Sequence, residues 1–364
     1  MDYGMILDIP AWVSRSEAGQ KATGITTYQE AVNATRINND YFMKNRNGSC
    51  KFLNVLQGEN FQQADDWYGA VKHYPFEGWA MAGYNMKQLH LALRRLIVMR
   101  DEKLLDPGRD LIHYLGTSKL NWSCIFTAIQ RNIRETINPN MMVTFDAASP
   151  FITTAKGQAY TQHVHRNNKF SYVMEAAVDD KRFQHSDIPF PFNSPIGERM
   201  TMGDLCYMGP GMLNKLGKEG KTSWDSFSYF LLMAHNVYQH IESVQRANTL
   251  ADIACTRYKP SHLEWRKVKP KQEEFDLWVP RDVIYVTEFI NQLFKSEKPM
   301  QMLEEAESML THFSGMKSIK TSQSAFDSLF DSGDDLQDVD DGEYTSEQVE
   351  AAEDFLNNLE ETNG

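Results

Sequence analysis

Cysteine pairs, long apolar runs and a signal-type N-terminus are all missing from this 364-residue chain. Its four cysteines are scattered without the spacing of a disulfide framework, which favours a reducing compartment. No apolar run approaches the roughly 18 residues that a membrane span needs, and no charged segment precedes an apolar stretch at the N-terminus. The sequence therefore predicts a soluble, cytoplasmic protein with no membrane partner.

Basic residues are missing from the last part of the chain. Residues 321–364 hold 14 of the 49 acidic residues and no Lys or Arg, which leaves 35 acidic and 37 basic residues in 1–320. The net charge of −12 therefore resides in this tail, whose composition predicts disorder. Because the body is nearly neutral, the acidic total does not argue against a nucleic-acid partner.

Short β-type runs alternate with helix-type stretches through residues 1–146. The expected strands are Met5–Asp8, Phe52–Gln57, Trp79–Ala82, Leu111–Leu115 and Met141–Phe145. The expected helices are Thr27–Asn45, Phe61–His73, Met86–Arg100 and Trp122–Ile133. This alternation predicts βα units and a parallel sheet. Polar groups at the strand ends favour a TIM-type (β/α) barrel over an open sheet, because barrel sites collect at the carboxyl ends of the strands.

The pattern changes after residue 146. Taken over the whole chain, it predicts five regions. Loops and short antiparallel strands, punctuated by Pro and Gly, indicate an inserted subdomain. A long helix then follows, and after it come a basic segment and two further helices. The predicted regions are a barrel portion at 1–146, the inserted subdomain at 147–223, a closing barrel helix at 224–256, the basic segment with a helical extension at 257–320, and the acidic tail at 321–364.

Polar residues or glycines stand at the end of every expected strand. Asp146 follows the last strand, and the earlier strand ends carry Asp8, Gln57 with Gly58, Gly83, and Leu115 with Gly116. Because the carboxyl ends of parallel strands meet at one edge, these groups indicate a common site. Two structural alternatives stay open: Asp146 could initiate a turn, and Asp8 could cap the next segment.

Five motifs in chain order carry a resemblance to a known family. They are Leu56-Gln57-Gly58, Gly78–Tyr84, His113–Gly116, Phe145-Asp146 and Lys156–Thr161. In this order and spacing they resemble the tRNA-guanine transglycosylase family, over about residues 5–165 and more faintly over 204–250. The resemblance implies a barrel enzyme, a pentosyltransferase that exchanges guanine in a polynucleotide for a free 7-deazaguanine base of the preQ0 type. Tyr84 and His113 depart from the family, which usually has Leu and Tyr there.

The resemblance also implies a role for each strand-end residue. Asp146 is the expected nucleophile, because a carboxylate can displace guanine at the anomeric carbon and form a covalent glycosyl-enzyme. Asp8 is expected to accept hydrogen bonds from the N1–H and 2-amino edge of the base, and Gln57 to read its carbonyl edge. Glycines 58, 83 and 116, with Leu115, are expected to let backbone approach the ring closely.

Zinc is the cofactor that the resemblance implies. The family pattern is three cysteines in C-x-C-x-x-C spacing followed by a histidine on a helix. Here Cys206 and His235 match it, and Asp204 occupies another of the cysteine positions. Two plausible ligands do not make a tetrahedral site, although Asp204, His185 or Asp187 could complete a mixed set. An isolated Cys with a core-facing His explains the same residues without a metal. No organic cofactor is expected.

A basic segment follows the long helix and suits a nucleic-acid partner. Its cations, with Tyr258 and Trp265 interleaved, fit a surface that tracks phosphates and stacks bases, although a solvated connector is an equal alternative. DNA is favoured over tRNA because the zinc cysteines and barrel walls have drifted from those of the tRNA enzymes and no appended RNA-binding domain is evident. This drift resembles the phage and bacterial DNA-modifying branch, which predicts the cytoplasm of a bacterial or phage-infected cell. The cations are Arg257, Lys259, Arg266, Lys267, Lys269 and Lys271.

One expected acid is not matched in this sequence. The family has a further strand-end Asp, its general acid/base, well upstream of the residue that Asp8 matches. Only part of the barrel is therefore expected here, and activity is expected to need a homodimer, a complementing polypeptide, or the helices after residue 272 to cover the gap. The alternatives are the same exchange on tRNA, or a non-catalytic partner subunit of a transglycosylase complex.

Overall fold

The computed structural model describes residues 2–166, 169–177, 180–206, 226–257 and 279–315. All of these belong to one compact unit, residues 1–320. The tail at 321–364, and the basic residues Lys259, Arg266, Lys267, Lys269 and Lys271, lie outside the described residues.

Five parallel strands form the central sheet, and their spatial order follows their order in the chain. They are β1 (Tyr3–Met5), β2 (Lys51–Leu56), β3 (Gly78–Met81), β4 (Leu111–Tyr114) and β5 (Met142–Phe145). The sheet curls into a half-barrel. An α/β fold with this parallel sheet is what the alternating pattern predicts.

Helices connect each strand to the next. Since such crossovers are nearly always right-handed, a sequential strand order places them on one face of the sheet. A 3-10 helix at Ala11–Arg15 precedes α1 (Glu17–Thr23) and α2 (Tyr28–Asn45), and the other connections are α3 (Phe61–Val71), α4 (Tyr84–Lys87), α5 (Leu89–Asp101) and α6 (Leu120–Thr136).

The helix starts are set by side-chain caps that can be read from the sequence. Thr27 and Glu30 form a reciprocal capping box at the start of α2, and the Asn60 side chain accepts a hydrogen bond from the Gln63 N–H at the start of α3. Gln88 accepts from the Leu91 N–H and separates α4 from α5, where the sequence predicted one continuous helix.

Side-chain alternation gives the sheet two different faces. Tyr114 stacks on Phe126 of α6, with ring centroids 4.2 Å apart, and Trp79 lies against Tyr68 of α3. These side chains belong to the main apolar core between the sheet and its helices. Because successive residues of a strand point to opposite faces, His113 lies on the face opposite to Tyr114.

The rest of the described chain packs around α6 and α5. Helix α9 (Ser226–Arg257) packs on α6, on α7 (Ser149–Ala155) and on the strand β6 (Gln158–Arg166). Helix α10 (Arg281–Leu293) packs on α6, and α11 (Pro299–Phe313) packs on α5. The helices that follow residue 279 thus join the helical layer, and within the described ranges no strand pairs with the outer edge of β1 or β5. This part of the chain also contains β7 (Lys169–Ala176), the antiparallel partner of β6, and α8 (Met202–Leu205).

The expected helices and strands are confirmed, with one correction that affects the site. The first strand ends at Met5, whereas the sequence predicted a strand over Met5–Asp8. Asp8 therefore lies on the loop that leaves the sheet, and this loop is held to α2: the Asn38 amide donates to the Leu7 carbonyl, and the Ile9 N–H donates to the Thr35 hydroxyl.

Candidate active site at the carboxyl ends of the strands

Asp146 is held by two neighbours from the end of β4. Its Oδ1 atom lies 3.2 Å from Nε2 of His113 and 2.9 Å from the backbone N of Gly116. Its backbone carbonyl also accepts from the Thr117 N–H at 2.8 Å. The side chain nevertheless stays 58% exposed, and no hydrogen bond to Oδ2 is seen from any residue that the structure describes. Oδ1 is therefore held by two donors, and Oδ2 is held by neither of them.

These hydrogen bonds keep Asp146 ionised. The His113 contact is the main cause that lowers the pKa of Asp146, and the Gly116 N–H contributes in the same direction against partial burial. A carboxylate of lowered pKa is present as the anion at neutral pH, which is the form needed for nucleophilic attack.

The register of the last two strands creates this arrangement. His113 on β4 pairs with Thr144 on β5, so both side chains lie on the same face of the sheet. Asp146 follows Thr144 by two residues and returns to that face, whereas the ring of Phe145 packs against Phe126 on the helical side.

Asp8 and Gln57 form a second group, also at the carboxyl ends of the strands. The side-chain amide nitrogen of Gln57 donates to Oδ2 of Asp8 at 2.8 Å. The backbone carbonyl of Gln57 accepts from the side-chain amide of Asn85 at 3.0 Å. Gln57 is buried. Burial raises the pKa of Asp8, and the hydrogen bond from Gln57 opposes that rise. The predicted base-reading pair is thus brought into contact.

Gly58 and Gly83, two of the glycines expected to contact the base, pack against each other. A Cβ on Gly83 would meet the Gly58 carbonyl oxygen at 2.3 Å, and a Cβ on Gly58 would meet the Ala64 backbone nitrogen at 2.5 Å. Both residues have positive φ angles, 54° and 125°. These glycines therefore serve the close packing of the loops after β2 and β3.

Gly116 and Leu115 are placed differently from that glycine pair. The Leu115 N–H donates to the Met81 carbonyl, which extends the ladder between β4 and β3. Gly116 has a φ of 70°, and nothing lies within 4 Å of a Cβ built there. Gly116 therefore has room for a side chain, unlike Gly58 and Gly83, and its positive φ is what favours glycine there.

An ion pair beside this edge was not anticipated from the sequence. Arg15, at the end of the 3-10 helix, pairs with Glu59, whose side chain is only 10% exposed. Glu59 directly follows the strand-end residue Gly58 in the sequence, and this position was the feature that could have pointed to it. The His113 contact with Asp146 was also missed, because the register of β4 against β5 cannot be read from the sequence.

The expected zinc ligands do not form a ligand set in the described part of the chain. Both ring nitrogens of His235 lie within 2.8 Å of other partners, Nδ1 of the Ser194 hydroxyl and Nε2 of the Tyr160 carbonyl. The Asp204 carboxylate caps its own helix by accepting from Thr201. No group of three or more His, Cys, Asp or Glu able to hold a metal occurs in those ranges. The residues as placed do not fit zinc, which stays a prediction on which no chemical step below depends.

Of the expected nucleic-acid contacts, the structure describes only Arg257. It is the last residue of α9 and is exposed. The basic segment therefore stays a prediction.

Comparison with known proteins adds no further constraint. No family model matches the chain, and no curated protein matches it at a significant level. None of the helices in the described ranges is both long and apolar enough to cross a membrane.

Proposed function

We propose that the strand-end site exchanges guanine in a polynucleotide for a 7-deazaguanine base of the preQ0 type, through a covalent intermediate on Asp146. The observation that carries this proposal is the setting of Asp146: an exposed carboxylate of lowered pKa whose Oδ1 is held by His113 and Gly116 while Oδ2 is held by neither. Glycosyl transfer with a carboxylate nucleophile needs such a group at the anomeric carbon.

The Asp8–Gln57 pair suits recognition of a guanine-type base. Asp8 retains lone pairs that can accept from the N1–H and 2-amino groups, and the second amide hydrogen of Gln57 can donate to the carbonyl at position 6. Bringing these N–H donors to a partly buried carboxyl group would offset the burial that raises the pKa of Asp8.

The proposed exchange is balanced in atoms and protons. Oδ2 of Asp146 attacks C1′ of the target nucleotide, and the C1′–N9 bond breaks as its electron pair leaves with guanine. The incoming base loses its N9 proton as N9 attacks C1′, and the Asp146 ester bond breaks to restore the carboxylate. The proton lost by the incoming base equals the proton gained by guanine, so the exchange needs no other reactant. A target in a duplex must first be flipped out of the stack.

The two outer edges of the half-barrel, with which no strand of the described residues pairs, support a further polypeptide as partner. Met5 and Leu7 beside β1 are 46% and 62% exposed, and Met142 on β5 is 40% exposed. Unpaired strand edges flanked by apolar side chains favour pairing with further strands. We propose that a second copy or a complementing polypeptide completes a TIM-type barrel. The same edges fit the alternative function, a non-catalytic subunit that supports a complete transglycosylase.

The proposal is tested by base exchange with labelled guanine and with a 7-deazaguanine precursor. Duplex DNA and tRNA are supplied separately, because DNA is the proposed substrate and tRNA the alternative. Asp146→Asn should lower incorporation by about 10³-fold or more, as loss of a nucleophile does. Asp106→Asn is the matched control: it removes an exposed carboxylate in the loop before β4, away from the strand ends, and should leave incorporation unchanged.

Each outcome distinguishes between the alternatives. If no base is incorporated into either polymer even when candidate complementing polypeptides are supplied, the enzyme hypothesis is rejected. The non-catalytic subunit is then the remaining alternative. Full incorporation by Asp146→Asn would remove that residue from the nucleophile position. Incorporation into tRNA alone would reverse the substrate preference.

A further inference from the structure

His113 bridges two residues of the neighbouring strand. Its Nε2 atom lies 3.2 Å from Oδ1 of Asp146, and its Nδ1 atom lies 2.9 Å from the Thr144 hydroxyl. The imidazole is 17% exposed, much less than the carboxylate that it contacts. Both ring nitrogens are therefore committed to β5, and the ring cannot turn without losing one of these contacts.

The chemistry of the two partners fixes the direction of the hydrogen bonds. An ionised carboxylate can only accept, so Nε2 carries a proton and donates it to Asp146. In the neutral imidazole Nδ1 then accepts, and the Thr144 hydroxyl donates to it. The Asp146 carboxylate therefore selects the tautomer with the proton on Nε2, and the Thr144 hydroxyl, which can donate or accept, complements that tautomer by donating to Nδ1.

We propose that His113 is the positioning residue of the reaction: with the Gly116 N–H it holds Oδ1 of Asp146, so that Oδ2 is the attacking oxygen. This inference rests on the proposed base exchange and assigns a residue of that same site. Two donors on one oxygen fix the rotation of the carboxyl group about its Cβ–Cγ bond. They also leave Oδ2 outside both hydrogen bonds, on a side chain that is 58% exposed.

Loss of the imidazole should cost rate rather than substrate binding. A carboxylate held by Gly116 alone is free to rotate, and misplacement of a reacting atom by about 1 Å costs roughly 10²-fold in rate. His113 lies on β4 and contacts Asp146 rather than the Asp8–Gln57 pair, so base recognition should be little affected. We expect kcat to fall by about 10- to 100-fold, with KM nearly unchanged.

Three substitutions separate positioning from mere packing. His113→Gln keeps an N–H donor at the place of Nε2, His113→Asn keeps a polar atom only at the place of Nδ1, and His113→Phe keeps neither. If His113 positions Asp146 through its Nε2–H, the Gln variant should recover most of kcat, and the Asn and Phe variants should not. Equal loss in the Gln and Phe variants, with both folded by circular dichroism, would overturn the proposal.

A second measurement does not depend on activity. The pKa of the Asp146 carboxyl group can be followed by ¹³C NMR titration, with Asp146→Asn to assign the signal. Since His113 is the main cause that lowers this pKa, the Phe variant should raise it and the Gln variant should raise it less. An unchanged pKa in the Phe variant would show that the contact is not made, and would overturn the positioning role. If the pKa of Asp146 changes as predicted in the variants but the wild-type protein exchanges no base, the proposed function is rejected instead.

Discussion

Two carboxyl groups stand at the same edge of the sheet in opposite settings. Asp8 is partly buried against Gln57, and burial raises its pKa, whereas Asp146 is exposed between His113 and Gly116, and their hydrogen bonds lower its pKa. Environments that push the pKa values of two acids apart allow them to serve different roles at one pH. Under the proposed function, the Asp8 end of the sheet would hold the edge of the base, and the Asp146 end would present the attacking anion.

The largest expected effect concerns the glycines that support the two ends. Gly83→Ala should destabilise the fold by about 3 kcal/mol, because the new Cβ would meet the Gly58 carbonyl and φ is positive. Gly116→Ala is the matched change near Asp146. It meets no atom within 4 Å and should cost only about 1–2 kcal/mol for its positive φ. Urea denaturation measures both, and equal losses would contradict this difference between the ends.

An intermediate effect is expected from Asp8→Asn, and its sign is stabilising. A raised folded-state pKa means that the contribution of Asp8 to stability is fully present below its unfolded value near 4, and is lost as the pH rises through the folded value. The neutral amide can still accept from Gln57 without that loss. At pH 7 the variant should gain about 1 kcal/mol in the free energy of unfolding, within the range for burying a polar group.

The measurement is the free energy of unfolding of Asp8→Asn and the wild-type protein between pH 3 and pH 7. The two should converge at the acid end of the series. A variant that is less stable than the wild type at pH 7 would show that the Asp8 charge is stabilised by a partner.

The smallest effect is expected from Asp146→Asn, with the opposite sign. A lowered folded-state pKa means that this residue contributes stability above its unfolded value near 4, and that the contribution is lost as the pH falls through the folded value. The loss at pH 7 should be below about 1 kcal/mol, because the side chain is more than half exposed and solvent screens it. Thermal unfolding at pH 7 and pH 3 checks this, and the difference between variant and wild type should be smaller at pH 3 than at pH 7.

Much of the architecture was predictable from sequence because its signals are local. Thr27 with Glu30 and Asn60 mark helix starts, and short β-type runs mark the strands. The 3-10 helix and α1 were missed because residues 11–23 are short segments without an extended apolar period. Helix α7 was missed for the same reason, although Pro150 stands in its first turn.

The site was predictable only in part, because its contacts depend on strand register. That Gln57 and Asp146 would stand at one edge follows from the strand ends alone. That His113 would face Thr144, and thereby reach Asp146, depends on how β4 and β5 are aligned. The mutual packing of Gly58 and Gly83 likewise depends on how the loops after β2 and β3 approach one another.

The sequential order of the strands has a consequence for how the chain folds. Each strand pairs with the one made just before it, so the sheet can grow from β1 to β5 while the chain is being synthesised. Asp8, however, follows the first strand of the sheet, and Asp146 follows the last. The binding half and the reactive half of the proposed site therefore come together only when β5 docks, so that an incomplete chain carries no assembled site.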